Sequence, residues 1–425
     1  MKLSHSDIVT LIMSLGVMLI LSRLLGEVAR KLRFPIVVGE ILAGLVLGKT
    51  ILGTFFPQTA VNLFPSSGNV PIALSGITSL AAIMLLFVAG MELELSLVIK
   101  QGRKAIITSI GSLIIPLAIG AYIGYFHIEI FHIRPESKRV FALFLGTALS
   151  ITALPVIARI LMDLGLYKTR VGTIIIAAAM LNDLVGWLIF SVVLGLIQEH
   201  REASLELWQT IVLTFVYTIL ILTGAKWLIN KSLPWFQKKF AWPGGVLSLA
   251  FGLCFLGAAF TEYIGIHAIF GAFILGIAFG DSEHLTRKAR DIIQQFVNNI
   301  FAPLFFVNIG LRLNFVDNFD LTITLWILVA ALISKLIGGF LGAKISGLDY
   351  KESLAVGFGM NARGAMEIIL ANLALEAKLI DDKIFVSLVI MAIVTSMISG
   401  PMLSIFCKDV TKVNEPKFTD LEDSF

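Results

Sequence analysis

The chain has 425 residues, 57% of them hydrophobic and 15% charged, against roughly 25% charged in an ordinary soluble domain. That composition excludes a water-soluble globule. The net charge of +4 is spread over short links with no basic stripe, which offers nucleic acid nothing to grip.

Cutting the sequence at its polar punctuation predicts about thirteen apolar segments, each near the roughly 20 residues that a spanning helix needs. In chain order they cover 8–26, 35–54, 70–91, 105–126, 140–162, 170–197, 207–230, 244–261, 264–280, 292–312, 322–345, 353–375 and 383–406. The first is followed by SRLLGEVARKLR, shows no small-residue cleavage site, and is read as a retained span. The apolar stretch 243–280 is too long for one helix, and the polar TEYIGIH at 261–267 is the natural place for it to fold back. Two isolated thiols, Cys254 and Cys407, make neither a disulfide framework nor a metal site.

Thirteen spans put the two ends on opposite sides of the membrane. One set of links carries 18 Lys and Arg residues, including Arg30, Lys31, Arg103, Lys104, Lys238, Lys239 and Arg287, and the other set carries 9. The positive-inside rule therefore predicts an external N-terminus and a cytoplasmic C-terminal tail, 408–425.

Two spans are predicted to be interrupted near their middles. In the fifth, GTALSITALPVIARIL brings Thr147, Ser150, Thr152 and Pro155 together; proline removes a backbone donor, and hydroxyls can serve the groups this frees. In the twelfth, GFGMNARGAMEIILAN sets Gly357, Gly359 and Gly364 around Asn361 and Arg363. Interrupted helices seven spans apart, in opposite orientations, fit an inverted-repeat transporter with a midplane site; the plainer alternative is that these small residues only pack helices.

Five charges inside spans stand out. Asp183, in IIIAAAMLNDLVGWLIFSVV, carries an ionised carboxylate into a setting where it costs about 2.5–3.5 kcal/mol, so it needs a partner, a proton or a cation. Asn182 beside it offers an uncharged donor and acceptor. Lys335, in ILVAALISKLIGGFLGA, is too deep to snorkel and reads as a charge that compensates an empty site. Arg363 and Glu367 stand four apart, as if on one face of one helix. Glu40, in FPIVVGEILAGLVLG, either lines a cavity or bonds to a neighbouring helix. Enzyme chemistry finds no HExxH, GxSxG or GxxxxGK[ST] to rest on, and uphill transport without a nucleotide site must be driven by an ion gradient.

The ordered segments LRFPIVVGEILAGLVLG, LLFVAGMELEL, ALSITALPVIARIL, AAAMLNDLVGW, HAIFGAFILGIAFG, APLFFVNIGL and MNARGAMEIILAN resemble the monovalent cation/proton antiporter-2 family of sodium/hydrogen exchanger-like proteins. The likeness runs over all thirteen spans and is strongest to the cation/H⁺ exchanger branch. It implies an all-α integral membrane protein with the NhaA-like antiporter fold, in which inverted repeats bring two broken helices to cross beside an ion-binding aspartate. It also implies a homodimer in the bilayer, with core helices at about 70–197 and 292–375, dimerisation helices at about 8–54 and 207–280, and a final span at 383–406. Carried over by the resemblance, Asp183 is the carrier of the monovalent cation and the proton and Asn182 its companion. Ser150 and Thr152 are ligands from the unwound segment, Lys335 is the basic residue of the core, and Arg363 with Glu367 is the polar pair of the second broken helix. Two departures stand out. Electrogenic relatives have Asp-Asp where this chain has Asn182-Asp183, so Lys335 lacks its usual carboxylate partner. Electroneutral relatives add a Glu about five residues upstream, where this chain has Ala178.

The expectation is a secondary antiporter of a bacterial inner membrane, exchanging Na⁺ or K⁺ for H⁺ by alternating access, with no cofactor and no enzyme activity. A cation channel is the first rival, and it would need a continuous polar pore and a filter of stacked carbonyls, for which no TVGYG-like run exists. A transport-inactive membrane sensor of the same fold is the second, and it would follow if Lys335 and Asp183 simply paired.

Overall fold

The structure, a computed structural model, describes residues 3–32, 34–93, 95–134, 137–197 and 207–407; the expected tail at 408–425 lies outside them. The described residues are helical and contain no strand. In chain order the main helices are α1 (His5–Lys31), α2 (Ile36–Leu47), α3 (Asn69–Met91), α4 (Leu95–Phe126), α5 (Lys138–Ser150), α6 (Leu154–Asp163), α7 (Arg170–Ile197), α8 (Leu207–Leu220), α9 (Lys226–Lys239), α10 (Gly244–Tyr263), α11 (Ala268–Gly280), α12 (Arg287–Phe296), α13 (Ala302–Arg312), α14 (Leu321–Ile345), α15 (Tyr350–Gly359), α16 (Ala365–Glu376) and α17 (Asp382–Phe406).

Helix starts follow local chemistry. Ser4 and Asp7 close a reciprocal capping box at α1, Asp349 and Glu352 do the same at α15, and the Asp320 and Asp381 side chains accept from the first-turn N–H groups of α14 and α17. The hairpin in the long apolar stretch forms where expected, with α10 ending at Tyr263 and α11 starting after His267. Gly265, at φ +85°, makes that turn in a backbone region closed to most side chains.

Among the described residues eleven helices are long and apolar enough to cross a membrane. The other two expected spans are helical but short. α11 has 13 residues, about 20 Å at 1.5 Å per residue, and the twelfth segment is split into α15 and α16. Two π turns, Ile221–Ala225 and Val297–Phe301, join α8 to α9 and α12 to α13; the hydropathy pattern gives no sign of either.

Both predicted interruptions form. Helix α5 stops at Ser150, Ile151 to Ala153 are not helical, and α6 resumes with Pro155 in its first turn, where a missing N–H costs nothing. Helix α15 stops at Gly359 and α16 resumes at Ala365. The two unwound segments meet each other: Ala153 N–H donates to Ala362 O at 2.9 Å, and Thr152 Oγ1 donates to Met360 O at 3.0 Å. Each break thus satisfies part of the backbone that the other leaves open.

Packing divides the helices differently from the expected 70–197 and 292–375. Helix α4 runs along α14, α5 and α7, and α17 packs on α14, α15 and α16. Helix α3 instead lies along α11, and α13 lies along α2, so residues 70–91 and 292–312 join α1 and α2, while 383–406 joins the helices that carry the breaks. Close backbone approach is the physical reason. A Cβ on Gly111 would stand 2.7 Å from the Gly338 carbonyl, one on Gly120 2.7 Å from the Gly146 Cα, and one on Gly339 2.9 Å from the Gly357 Cα, seaming α4, α5, α14 and α15 together. A second set, Gly44 against Gly310 and Gly90 against Gly276, seams α2 to α13 and α3 to α11. Sequence shows where small residues lie but not which of them face each other.

Candidate functional site

Asn182 and Asp183 sit in the middle of α7, fully buried. The Asn182 amide is clamped by two hydroxyls of α4, with Ser109 Oγ 2.6 Å from one end and Ser112 Oγ 2.9 Å from the other. The end facing Lys335 is its oxygen, because an ammonium can only donate, and in that orientation Asn182 Oδ1 accepts from Lys335 Nζ at 3.2 Å and from Ser112 Oγ at 2.9 Å. The amide nitrogen then donates to Ser109 O at 3.1 Å.

Lys335, fully buried on α14, also donates to Ser112 O at 3.0 Å and to Ser150 O. Its three protons are therefore spread over three neutral oxygens from α4, α5 and α7, which fits a chain with no second aspartate beside Asp183. Lys335 does not hydrogen-bond Asp183, so the pairing on which a transport-inactive sensor would rest is not made.

Arg363 lies in the unwound segment between α15 and α16 and is fully buried. Its two terminal nitrogens donate to Ala148 O and Leu149 O at 2.6 Å each, capping the last carbonyls of α5 across the crossing. Its own backbone is held by Ser396 of α17, which accepts from Arg363 N–H at 2.9 Å and donates to Arg363 O at 2.5 Å. Glu367 is in the first turn of α16, where Oε2 accepts from Gly364 N–H at 2.8 Å. The expectation that Arg363 and Glu367 share one helix face is thus corrected. The helix begins only after Arg363, so the arginine reaches forward to α5 while the glutamate caps its own helix.

Ser150 and Thr152 are both buried at the first break. The Ser150 hydroxyl donates to Gly146 O at 2.6 Å and approaches Leu113 O at 3.1 Å, and the Thr152 hydroxyl serves the crossing. Both keep lone pairs, but their protons are committed to the scaffold. Asn361 donates to Gly357 O at 3.1 Å and leaves its side-chain oxygen open.

A surplus of acceptors results. Among the described residues, Asp183 Oδ1 and Oδ2, Asn361 Oδ1 and Glu367 Oε1 are buried oxygens of this region without a donor, against one buried nitrogen without an acceptor, Arg363 Nε. The Leu154 N–H, first donor of α6, is turned toward Asp183. Unmatched buried oxygens are costly. A proton on a carboxyl, or a hard cation stripped of water, removes that cost. Ser109, Ser112 and Ser396 escape a reading by charge alone. The spacing of Ser109 and Ser112, three apart in an otherwise apolar span, is the signal that could have found the first two.

Residues 16–409 match the family described as sodium/hydrogen exchanger, transmembrane. The chain is similar to the Na(+)/H(+) antiporter NhaS4 of Synechocystis sp., 31% identical over 389 residues, covering 90% of this chain and 93% of the relative. It is also similar to the K(+)/H(+) antiporter 1 of Saccharomyces cerevisiae, 30% identical over 393 residues, and to the cation/H(+) antiporter 15 of Arabidopsis thaliana, 29% identical over 421 residues; these matches cover 89% and 94% of this chain. The chain spans about half the length of the yeast and plant relatives, 44% and 48%. The solved structure of the sodium proton antiporter MjNhaP1 from Methanocaldococcus jannaschii at pH 8 shares the fold, with a TM-score of 0.64 over 96% of this chain and 99% of that one at 18% identity.

Proposed function

The chain belongs to the transmembrane sodium/hydrogen exchanger family, and on that premise we propose that it is a secondary antiporter exchanging a monovalent cation, Na⁺ or K⁺, for H⁺ at Asp183. The observation that carries this reading is the fully buried Asp183 carboxylate, which among the described residues has only the Leu154 N–H turned toward it, beside a crossing of two broken helices that holds more open oxygens than donors. One carboxylate cannot keep a proton and a cation together, so loading one releases the other and the two fluxes are coupled.

The remaining residues build the site rather than carry charge through it. Lys335 and Arg363 tie α14 and the second break to the carbonyl end of α5. Asn182 links α7 to α4. Thr152, Ser150 and Asn361 supply oxygens at the breaks, with Glu367 behind them. The packing seams support a moving unit of α4 to α7 and α14 to α17, with α1 to α3 and α10 to α13 as the layer it moves against. That unit is six spans, in two groups of three offset by seven, as two inverted repeats would give. A neutralised site passes an apolar layer more cheaply than an ionised one, which forbids the empty carboxylate from returning alone. The working form is a homodimer in a bacterial inner membrane, N-terminus outside and C-terminus cytoplasmic.

Proteoliposomes loaded with a pH dye test the reading. Addition of Na⁺, K⁺ or Li⁺ should move protons in a saturable, cation-dependent way, whereas proton movement with no dependence on any of the three contradicts it.

A further inference from the structure

Among the described residues Glu40 is a further buried carboxylate with an open oxygen, apart from the crossing of broken helices. It sits on α2 with 5% of its surface exposed, and its Oε2 has no partner among the described residues. It lines a cavity of about 110 Å³ between α1, α2 and the π turn Val297–Phe301, room for several waters at about 30 Å³ each. The facing charges are both on α1. Arg23 is committed to Glu27 at 3.1 Å and leans on Asn299 Oδ1 at 3.4 Å. Glu27 is shared with Arg30 at 2.6 Å. The wall from the π turn brings no titratable group, only the amides of Asn298 and Asn299. Pro303, next in that wall, has no N–H, so one carbonyl of the preceding turn lacks its intrahelical donor.

The cavity thus holds a carboxylate with an open oxygen beside an arginine already paired with Glu27, and the side chains of Asn298 and Asn299 on the facing wall. We propose that Glu40 and the π turn behind it form a second, non-transporting site, in which a hard monovalent cation exchanges with the carboxyl proton of Glu40. The site lies in the layer of α1, α2 and α13, away from the crossing of broken helices, and it stands whether or not Asp183 is the carrier. Its place at the end of α1 that the charge pattern puts on the cytoplasmic side would let it sense the same two ions the protein exchanges.

The test counts protons released from purified protein in weakly buffered detergent on addition of KCl or NaCl, with choline chloride as the ionic-strength control. The Asp183→Asn protein should still release up to one proton per chain, specific to K⁺ or Na⁺. Adding Glu40→Gln to it should abolish that release. Asn299→Ala, at the exposed mouth, should raise the half-saturating cation concentration several-fold while leaving the proton count unchanged, so the proposal does not hang on the folding of the Glu40 variant. No cation-specific release from Asp183→Asn, as a water-bridged Glu40–Arg23 pair would give, overturns the proposal, and so does release that survives Glu40→Gln. Equal release from the parent and Asp183→Asn would count against the Asp183 reading alone.

Discussion

Arg363 is where the geometry makes the sharpest energetic claim. Its two terminal nitrogens close two carbonyls in the last turn of α5, Ala148 O and Leu149 O, at 2.6 Å each, from a side chain with no exposed surface. Hydrogen bonds to a charged group contribute about 1.5–3 kcal/mol each, so Arg363→Gln should destabilise the protein by roughly 3–6 kcal/mol, much of it the cost of leaving buried carbonyls unserved. Arg363→Lys keeps the charge but not the fork, reaches one carbonyl at a time, and should lose about half as much. Thermal unfolding of the purified proteins in detergent measures both, and the Arg363→Gln midpoint should fall by roughly 3–7 °C. The order parent, Lys, Gln is the signature of a cap made of two bonds. An Arg363→Gln protein that melts with the parent, or a Lys variant as unstable as Gln, would refute the capping argument.

Three further outcomes follow from neighbouring parts of the structure. Lys335→Gln loses a cation bound to three neutral oxygens, so the protein should melt lower yet still exchange ions with a shifted pH optimum; complete loss of flux in a stably folded variant would make Lys335 part of the carrier. Gly111→Val forces a side chain against the Gly338 carbonyl, 2.7 Å from a Cβ, and should cost about 1–3 kcal/mol, while Gly16→Ala, with nothing within 4 Å, should be silent in the same melting assay. With one titrating carboxylate per site, exchange should be electroneutral, and a proteoliposome rate that follows a clamped membrane potential would show that a second group, Glu367 first, carries charge.

Much of this architecture was legible in the sequence, for reasons that differ by element. Apolar length located the spans because a run of about 20 apolar residues matches the hydrocarbon core and satisfies its backbone there as a helix. Both breaks could be read from Ser150 to Pro155 and Gly357 to Gly364, since proline and glycine are local signals. Partner choice was not legible. Arg363 bonds to residues 214 and 215 positions away, and Lys335 to one 185 away, so their roles as struts between α5, α14 and the second break appear only in three dimensions. The i, i+4 spacing of Arg363 and Glu367 misleads because helix periodicity applies only inside a helix, and α16 starts after the arginine. Glycine seams set which helices group together, and a lone sequence gives no pairing for them.

The central claim is that one carboxylate carries both ions, and cation-dependent proton flux by purified Asp183→Asn protein in proteoliposomes tests it most directly. The substitution preserves volume and removes a buried charge that costs about 2–4 kcal/mol, so the fold should survive, with an unchanged or higher melting temperature as the check. Flux should fall to the level of empty vesicles, because an amide neither takes up a proton near neutral pH nor balances a dehydrated cation. Flux above a few per cent of the parent rate, from protein that melts normally, would place the carrier elsewhere and contradict the account.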